Sequence, residues 1–378
     1  MIIENEKLIL LGDLHFGKNK FSKVTLESQL RFFDGQLFPY MLKNNIKHII
    51  QAGDVFDNRI TMDIEYFQML QDLFFDKMKQ YGFIFTCVVG NHDIYHRSSR
   101  DYTLLNTIGK LYSNVNVINT RQEWSINNNR FYFVPWILPT ETLSGEELTG
   151  MNYVLGHFEI QNFEMSKGHL DDHSILSPEF FKKKKSLKKV YSGHYHIKAE
   201  KEKIEYLGTP YWLDWGDYGT TRGFYVLDEN MKESYIENNQ STRYVKLKYS
   251  DKNEKPLKID GLDAISHDVD LEDISEYVQF LKSHKLKLFI NDSSDNKHEE
   301  YIYTLKQFGL DFEITNNVEI SNIIGESYIS PIEEVDEQGE PVKIPSSGKG
   351  LILDTVKKKS PSLIPIVEEL FRELEEVQ

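Results

Sequence analysis

Short apolar runs that stop abruptly at polar residues recur along the first 230 residues. KLILLG (7–12), HIIQAG (48–53), FIFTCVV (83–89), FYFVPW (131–136), NYVLG (152–156), KVYSG (189–193), IEYLG (204–208) and GFYVLD (223–228) show little alternation. That pattern predicts strands covered on both faces. Amphipathic stretches around 26–44 and 62–80, and DYTLLNTIGKLY (101–112), predict helices between them. Strand–helix alternation of this kind implies an α/β layered core.

YVKLKY (244–249) leaves that pattern. Residues 255–330 offer a helix (DLEDISEYVQFLKSHK), a strand (KLKLFI), a second helix (KHEEYIYTLKQFG) and a strand (DFEITN), a small α+β unit. The stretch 330–350 is rich in Pro, Gly, Ser and acid and predicts an exposed linker. Beyond it, Leu363, Ile366, Val367, Leu370, Phe371, Leu374 and Val377 form an apolar stripe, after a break at Ser360-Pro361. The expected division is 1–240, 241–330, 331–350 and 351–378. A linker of this length favours a tail that docks on a partner, helix into groove.

Composition narrows the class. Aromatic residues at 13% and hydrophobic residues at 40% suit a folded chain. The single cysteine, Cys87, sits in FIFTCVV and reads as a core thiol, so no intramolecular disulfide framework is expected. With no signal-like start and no apolar segment of spanning length, the expectation is a soluble cytoplasmic protein without membrane contact. The net charge of −15 taken alone disfavours nucleic acid. Yet residues 1–250 hold 31 acids and 30 bases, so the acidity lies beyond the region with the chemistry.

That chemistry sits where strands end. LILLGDLH, IIQAGDVFD, CVVGNHD, YVLGH and VYSGHYH each run an apolar strand into ligand-type side chains. In α/β sheets the carboxyl ends of neighbouring strands converge on one crevice. Asp13, His15, Asp54, Asn91, His157, His194 and His196 would meet there. Carboxylate, imidazole and amide oxygen without thiolate suit borderline-hard divalent ions, manganese among them, and argue against structural zinc. Seven ligands exceed one open catalytic ion and suit two ions roughly 3.5–4 Å apart that share a carboxylate. Each motif alone is weak, since Asp-x-His and GDVFD are common polar turns. Their joint occurrence, each after a strand, outweighs coincidence.

The series D-x-H, GD-x-x-D, GNHD, GH and GH-x-H resembles the calcineurin-like metallophosphoesterases over residues 7–228. DLHFG, AGDVFDNR, VVGNHD and SGHYHI, with VPW and YLGTPYWLDWGD, resemble the SbcD-type DNA-repair nucleases, T-even-type phage exonuclease subunits in particular. The resemblance implies a calcineurin-like sandwich, a capping domain and a C-terminal helical hairpin. It assigns one manganese to Asp13, His15, Asp54 and His196, and a second to Asp54, Asn91, His157 and His194, with magnesium a weaker substitute. His92 matches the catalytic histidine, supported by Asp93 and Asp57; some members carry His at position 57. It also implies a homodimer within a heterotetramer, with the hairpin on an SbcC-type SMC-like ABC ATPase.

The expected function is manganese-dependent DNA exonuclease and endonuclease activity in double-strand break repair, recombination and replication, in the host cytoplasm if phage-encoded. A phosphomonoesterase or protein phosphatase of the same fold is the first rival, but such enzymes usually show GD-x-x-D-R-G and GNHE. An inactive scaffold is the second, and it would have lost ligands. For DNA contact the candidates are the lysine run FFKKKKSLKKV (180–190), which leads into the GHYH strand, and Arg97 and Arg100.

Overall fold

A computed structural model describes residues 1–166, 169–170, 174–260, 267–270, 273–292 and 297–316. The expected linker and hairpin, and the last residues of the small α+β unit, lie outside these. Two sheets form the core. The first has six strands in the order Glu233–Glu237, Gly223–Leu227, Leu8–Leu11, His48–Gln51, Ile84–Val88 and Val115–Ile118. From Leu8–Leu11 outward its strands are parallel. In the second sheet, Asn129–Val134, Tyr153–His157, Lys189–Gly193 and Ile204–Tyr206 also run parallel.

The unbroken apolar runs follow from this layering. Leu8 and Leu10 pack into the layer shared with Phe131, Phe133, Leu155 and Tyr191 of the second sheet. Ile9 and Leu11 face the other way, into a cluster with Leu26, Leu30, Phe33, Leu37 and Met41. Alternate residues of one strand thus serve two cores, each fully buried side chain contributing about 1.5–3 kcal/mol. The expected helix at 26–44 is Lys23–Phe32, continuing through a π turn at Phe33–Leu37 into Phe38–Lys43. Ser22 starts it by accepting the Thr25 N–H.

Two expected helices are shorter than their patterns. Ser99–Thr103 pairs with Ile94–His96 as a hairpin, so the helix begins at Leu104, where the Thr103 hydroxyl accepts the Asn106 N–H. Within 270–285, only a 3-10 turn at Asp273–Glu276 and a helix at Val278–Lys282 form among the described residues. Ile274, Val278 and Leu281 bury enough apolar surface for short turns only.

A third sheet has the order His267–Val269, Leu257–Asp260, Tyr244–Ser250, Lys285–Asp292 and Phe312–Asn316, with its own apolar cluster. The four-residue strand LKID was too short to read from periodicity. Among the described residues no helix is long and apolar enough to cross a membrane.

Candidate metal centre

Parallel pairing in register, with Leu11 opposite Gln51 and Gln51 opposite Cys87, ends three strands at one level. Asp13, Asp54 and Asn91 leave those ends side by side. In the second sheet His157 lies opposite Gly193, which brings His194 and His196 to the same crevice. Close approach there demands glycine at two places. A Cβ on Gly53 would lie 2.3 Å from His157 Nδ1, and one on Gly90 would lie 2.2 Å from Asp54 Oδ1. His15, Asp54 and His194 adopt left-handed backbone (φ 47°, 57° and 93°), a strain that gathers at functional sites.

Two groups of donors face inward. In the first, His15 Nε2 lies 2.9 Å from His196 Nε2, 3.9 Å from Asp13 Oδ2 and 3.8 Å from Asp54 Oδ2. His196 Nε2 is 3.7 Å from Asp13 Oδ2. In the second, His157 Nε2 lies 3.3 Å from Asp54 Oδ2 and 2.8 Å from Asn91 Oδ1, which is itself 3.1 Å from His194 Nδ1. Asp54 Oδ2 belongs to both groups.

The outward nitrogens decide which atoms face in. His15 Nδ1 is 3.1 Å from Asp57 Oδ1, His157 Nδ1 is 2.8 Å from the Ala52 carbonyl, and His194 Nε2 is 3.3 Å from Glu159 Oε1. An N–H donated outward to oxygen leaves the other nitrogen's lone pair inward, as in metal-bound imidazoles. The donor types, their spacing and these outer partners fit divalent cations. Asp57, His15 and His92 form a third cluster, in which His15 Nδ1 is buried without a hydrogen-bond partner, its approach to Asp57 being an ion-pair contact.

Charge in the crevice points the same way. Asp13, Asp54 and Asp93 are buried. Burial raises Asp13, and burial with the nearby Asp54 charge pushes Asp93 up to about 7. Burial would raise Asp54 too, but the imidazoles of His157 and His15 hold it well below the usual range. His157 is pushed up to about 9: burial opposes its charge, and the carboxylates of Asp54 and Asp13 outweigh burial. Burial, then the nearby His15 charge, depresses His196. Without cations, protons on imidazole balance the carboxylates; a bound cation would take their place.

His92, Asp93 and Asp57, expected to act together in catalysis, make separate contacts. His92 donates its backbone N–H to Asp54 Oδ1 (2.8 Å), and its Nδ1 lies 2.7 Å from the Asp57 carbonyl. Asp93 does not touch that ring. Its Oδ2 accepts from Asp54 N and Gly90 N, both at 2.9 Å, and its Oδ1 from Phe56 N at 3.0 Å. It staples the GDVFD turn to the GNHD turn, because three otherwise orphaned N–H groups converge on it.

Two candidate DNA contacts have partners within the chain or lie away from the donors. Arg100 is occupied internally, with Nη1 on the Trp136 carbonyl (2.5 Å) and on Glu141 Oε2 (2.8 Å). The lysine run precedes the strand Lys189–Gly193, whereas His194 and His196 follow it, so the run stands at the far end of the strand. Lys189 is surrounded by Glu200, Glu205 and Glu233, and Lys182 pairs with Glu202. Arg97 is exposed. Sequence reasoning missed Glu159 and Trp136 as site residues. Glu159 two positions past His157 was a faint signal, and VPW held Trp136, whose ring lies 5.2 Å from that of His194.

The fold and paired donor groups define a metal-dependent phosphoester-cleaving class. Residues 6–198, about half of the chain, match the calcineurin-like phosphoesterase family, and the chain belongs to it. Among its relatives, "Exonuclease subunit 1" of Enterobacteria phage T4 is 28% identical over 239 residues, 62% of this chain and 68% of that protein. A phosphoesterase of Invertebrate iridescent virus 3 is 26% identical over 218 residues, 54% of this chain and 58% of that protein. "DNA double-strand break repair protein Mre11" of Saccharolobus solfataricus is 25% identical over 144 residues, 36% of this chain and 35% of that protein.

Proposed function

We propose that the chain is a DNA phosphodiesterase, an exonuclease with endonuclease action in break repair, recombination and replication, that works with two manganese ions. The observation that carries this reading is Asp54 Oδ2 shared between two inward donor groups, with His92 outside both. Asp13, His15, Asp54 and His196 would hold one ion, and Asp54, Asn91, His157 and His194 the other. When bound, such a pair offsets phosphoryl charge and makes water a better nucleophile near neutral pH.

The remaining work falls to the chain. Asp57 aims His15, Glu159 aims His194, and Asp93 fixes the turn that carries His92. With Nδ1–H directed to the Asp57 carbonyl, His92 presents Nε2 as its working edge. A protonated Nε2 donates to the departing sugar oxygen as the ester bond breaks. The names of the phage T4 and archaeal relatives support nucleic acid as substrate, and GNHD rather than GNHE separates the chain from the phosphatases.

The proposal extends to partners. Residues 1–240 form the nuclease unit and 241–330 the capping unit that helps hold DNA. The hairpin 351–378 docks on an SbcC-type ATPase, two copies of each forming the complex. Deleting 351–378 should abolish co-purification with that ATPase and leave manganese-dependent cleavage by the bare chain.

The deciding experiment is hydrolysis of linear DNA and of p-nitrophenyl phosphate by the purified chain, with manganese and with magnesium. DNA cleavage should predominate and manganese should support it far better, since magnesium prefers all-oxygen shells. Asp54→Ala should be inactive with either ion. Preference for the monoester, equal rates in the two metals, or an active Asp54→Ala chain overturns the proposal.

A further inference from the structure

Beside the second donor group lies a cavity of about 280 Å³ whose walls are mainly apolar. Trp136, Ile137, Leu143, Phe158 and Leu176 line it, and His157 closes the end nearest the donors. The Trp136 ring stands 5.2 Å from the ring of His194 and 5.8 Å from that of His157. One indole therefore borders both the donor crevice and the cavity.

The backbone that carries the indole is firmly held. The Trp136 backbone N–H donates to the Val89 carbonyl at 2.8 Å, immediately before the GNHD turn. Its own carbonyl accepts from Arg100, whose guanidinium is held by Glu141 at 2.5 and 2.8 Å. Among the described residues Arg100 is thus paired with Glu141, and Arg121 with Glu147 and Glu141; the charged groups lining the cavity are the carboxylates of Glu141 and Glu159, with His157 beside the donors. A phosphate would be repelled there. A flat, uncharged ring with amine or imide hydrogens at its edge would not be.

We infer that this cavity receives the nucleobase of the nucleotide whose phosphate lies in the metal crevice, with Trp136 as its stacking face. The inference rests on the phosphodiesterase reading above. It gives the site an occupant continuous with the reacting phosphate. A base can enter only when unpaired, so the cavity selects frayed or single-stranded ends over paired interior nucleotides. Stacking on an aromatic face tolerates any base, and the carboxylates at the rim can accept hydrogens from exocyclic amines.

The test compares two manganese-supported reactions of the full chain: the p-nitrophenyl ester of thymidine 5′-monophosphate, and methyl p-nitrophenyl phosphate, which has no base. Two variants probe the cavity from different sides. Trp136→Ala removes the stacking face. Thr142→Trp fills the space from an exposed rim position without disturbing the core. Each should raise KM for the thymidine ester about tenfold, in line with the loss of one base stack, and Thr142→Trp should leave kcat/KM for the methyl ester within about twofold. Equal losses on both esters in Thr142→Trp, or an unchanged KM for the thymidine ester in that variant, overturn the inference. If neither ester is cleaved by the unaltered chain, the phosphodiesterase reading fails. Titration with 2-aminopurine riboside 5′-monophosphate then judges the cavity alone: quenching in the unaltered chain and none in either variant supports it, and equal quenching in all three overturns it.

Discussion

Asp57 Oδ1 lies 3.1 Å from His15 Nδ1, an ion-pair contact between a carboxylate and a buried imidazole. Lys18 Nζ, 3.6 Å from the same oxygen, helps keep Asp57 charged. Asp57 therefore acts through His15. Asp57→Ala should weaken metal binding by about 10–100-fold, the usual cost of losing an outer partner of a ligating imidazole. Calorimetric titration of the metal-free chain with manganese checks this, and an unchanged affinity with a lost acid-side limb in the pH–rate profile would make Asp57 a proton acceptor instead.

His92 makes the opposite prediction. Its ring is held by the Asp57 carbonyl, outside both inward donor groups. His92→Asn should retain two manganese ions and DNA binding while hydrolysis falls by about 10²–10⁴-fold. Metal content of the variant decides between roles: a lost ion makes His92 a ligand, and full activity makes it a bystander.

Arg222 is among the largest fully buried side chains, and its Nη2 meets Asp217 Oδ1 at 2.6 Å. Its Nη1 reaches the His196 carbonyl and the Thr209 hydroxyl. Truncating one member strands a buried charge. Asp217→Ala should cost about 3–5 kcal/mol, read as a lower urea midpoint. Asp217→Ala combined with Arg222→Leu should recover part of that loss, because no unpaired charge remains.

The third sheet carries a separate acid sensitivity. Burial, with the positive charge of Arg243 nearby, lowers His284 to about 4. The ring packs 3.9 Å from Phe280. Its folded pKa lies below the unfolded value near 6.5, so unfolding takes up a proton between those pH values. The contribution is fully present above about pH 6.5 and is lost as the pH falls toward 4, at most about 3 kcal/mol. Urea unfolding at pH 7 and pH 4.5 should show a smaller pH difference for His284→Phe than for the unaltered chain.

The sequence by itself showed where covered strands end in ligand-type side chains. LILLGD, IIQAGD and CVVGNHD are local patterns: an apolar run long enough to be a covered strand, a glycine for the sharp turn, then a side chain with a lone pair. Such information lies within a few residues, so it could be read without the fold. What each side chain faces was decided by tertiary structure, because it depends on elements remote in the chain. Asp93 and His92 are neighbours in GNHD, yet Asp93 binds N–H groups of another turn and His92 a carbonyl of that same turn. Lys189 and His194 share one short strand segment, yet they stand at its opposite ends. Arg100 looked free in the sequence because Glu141, its partner, is brought to it only by packing. Charge and spacing along a chain show what a residue can do; the register of parallel strands sets which partner it meets.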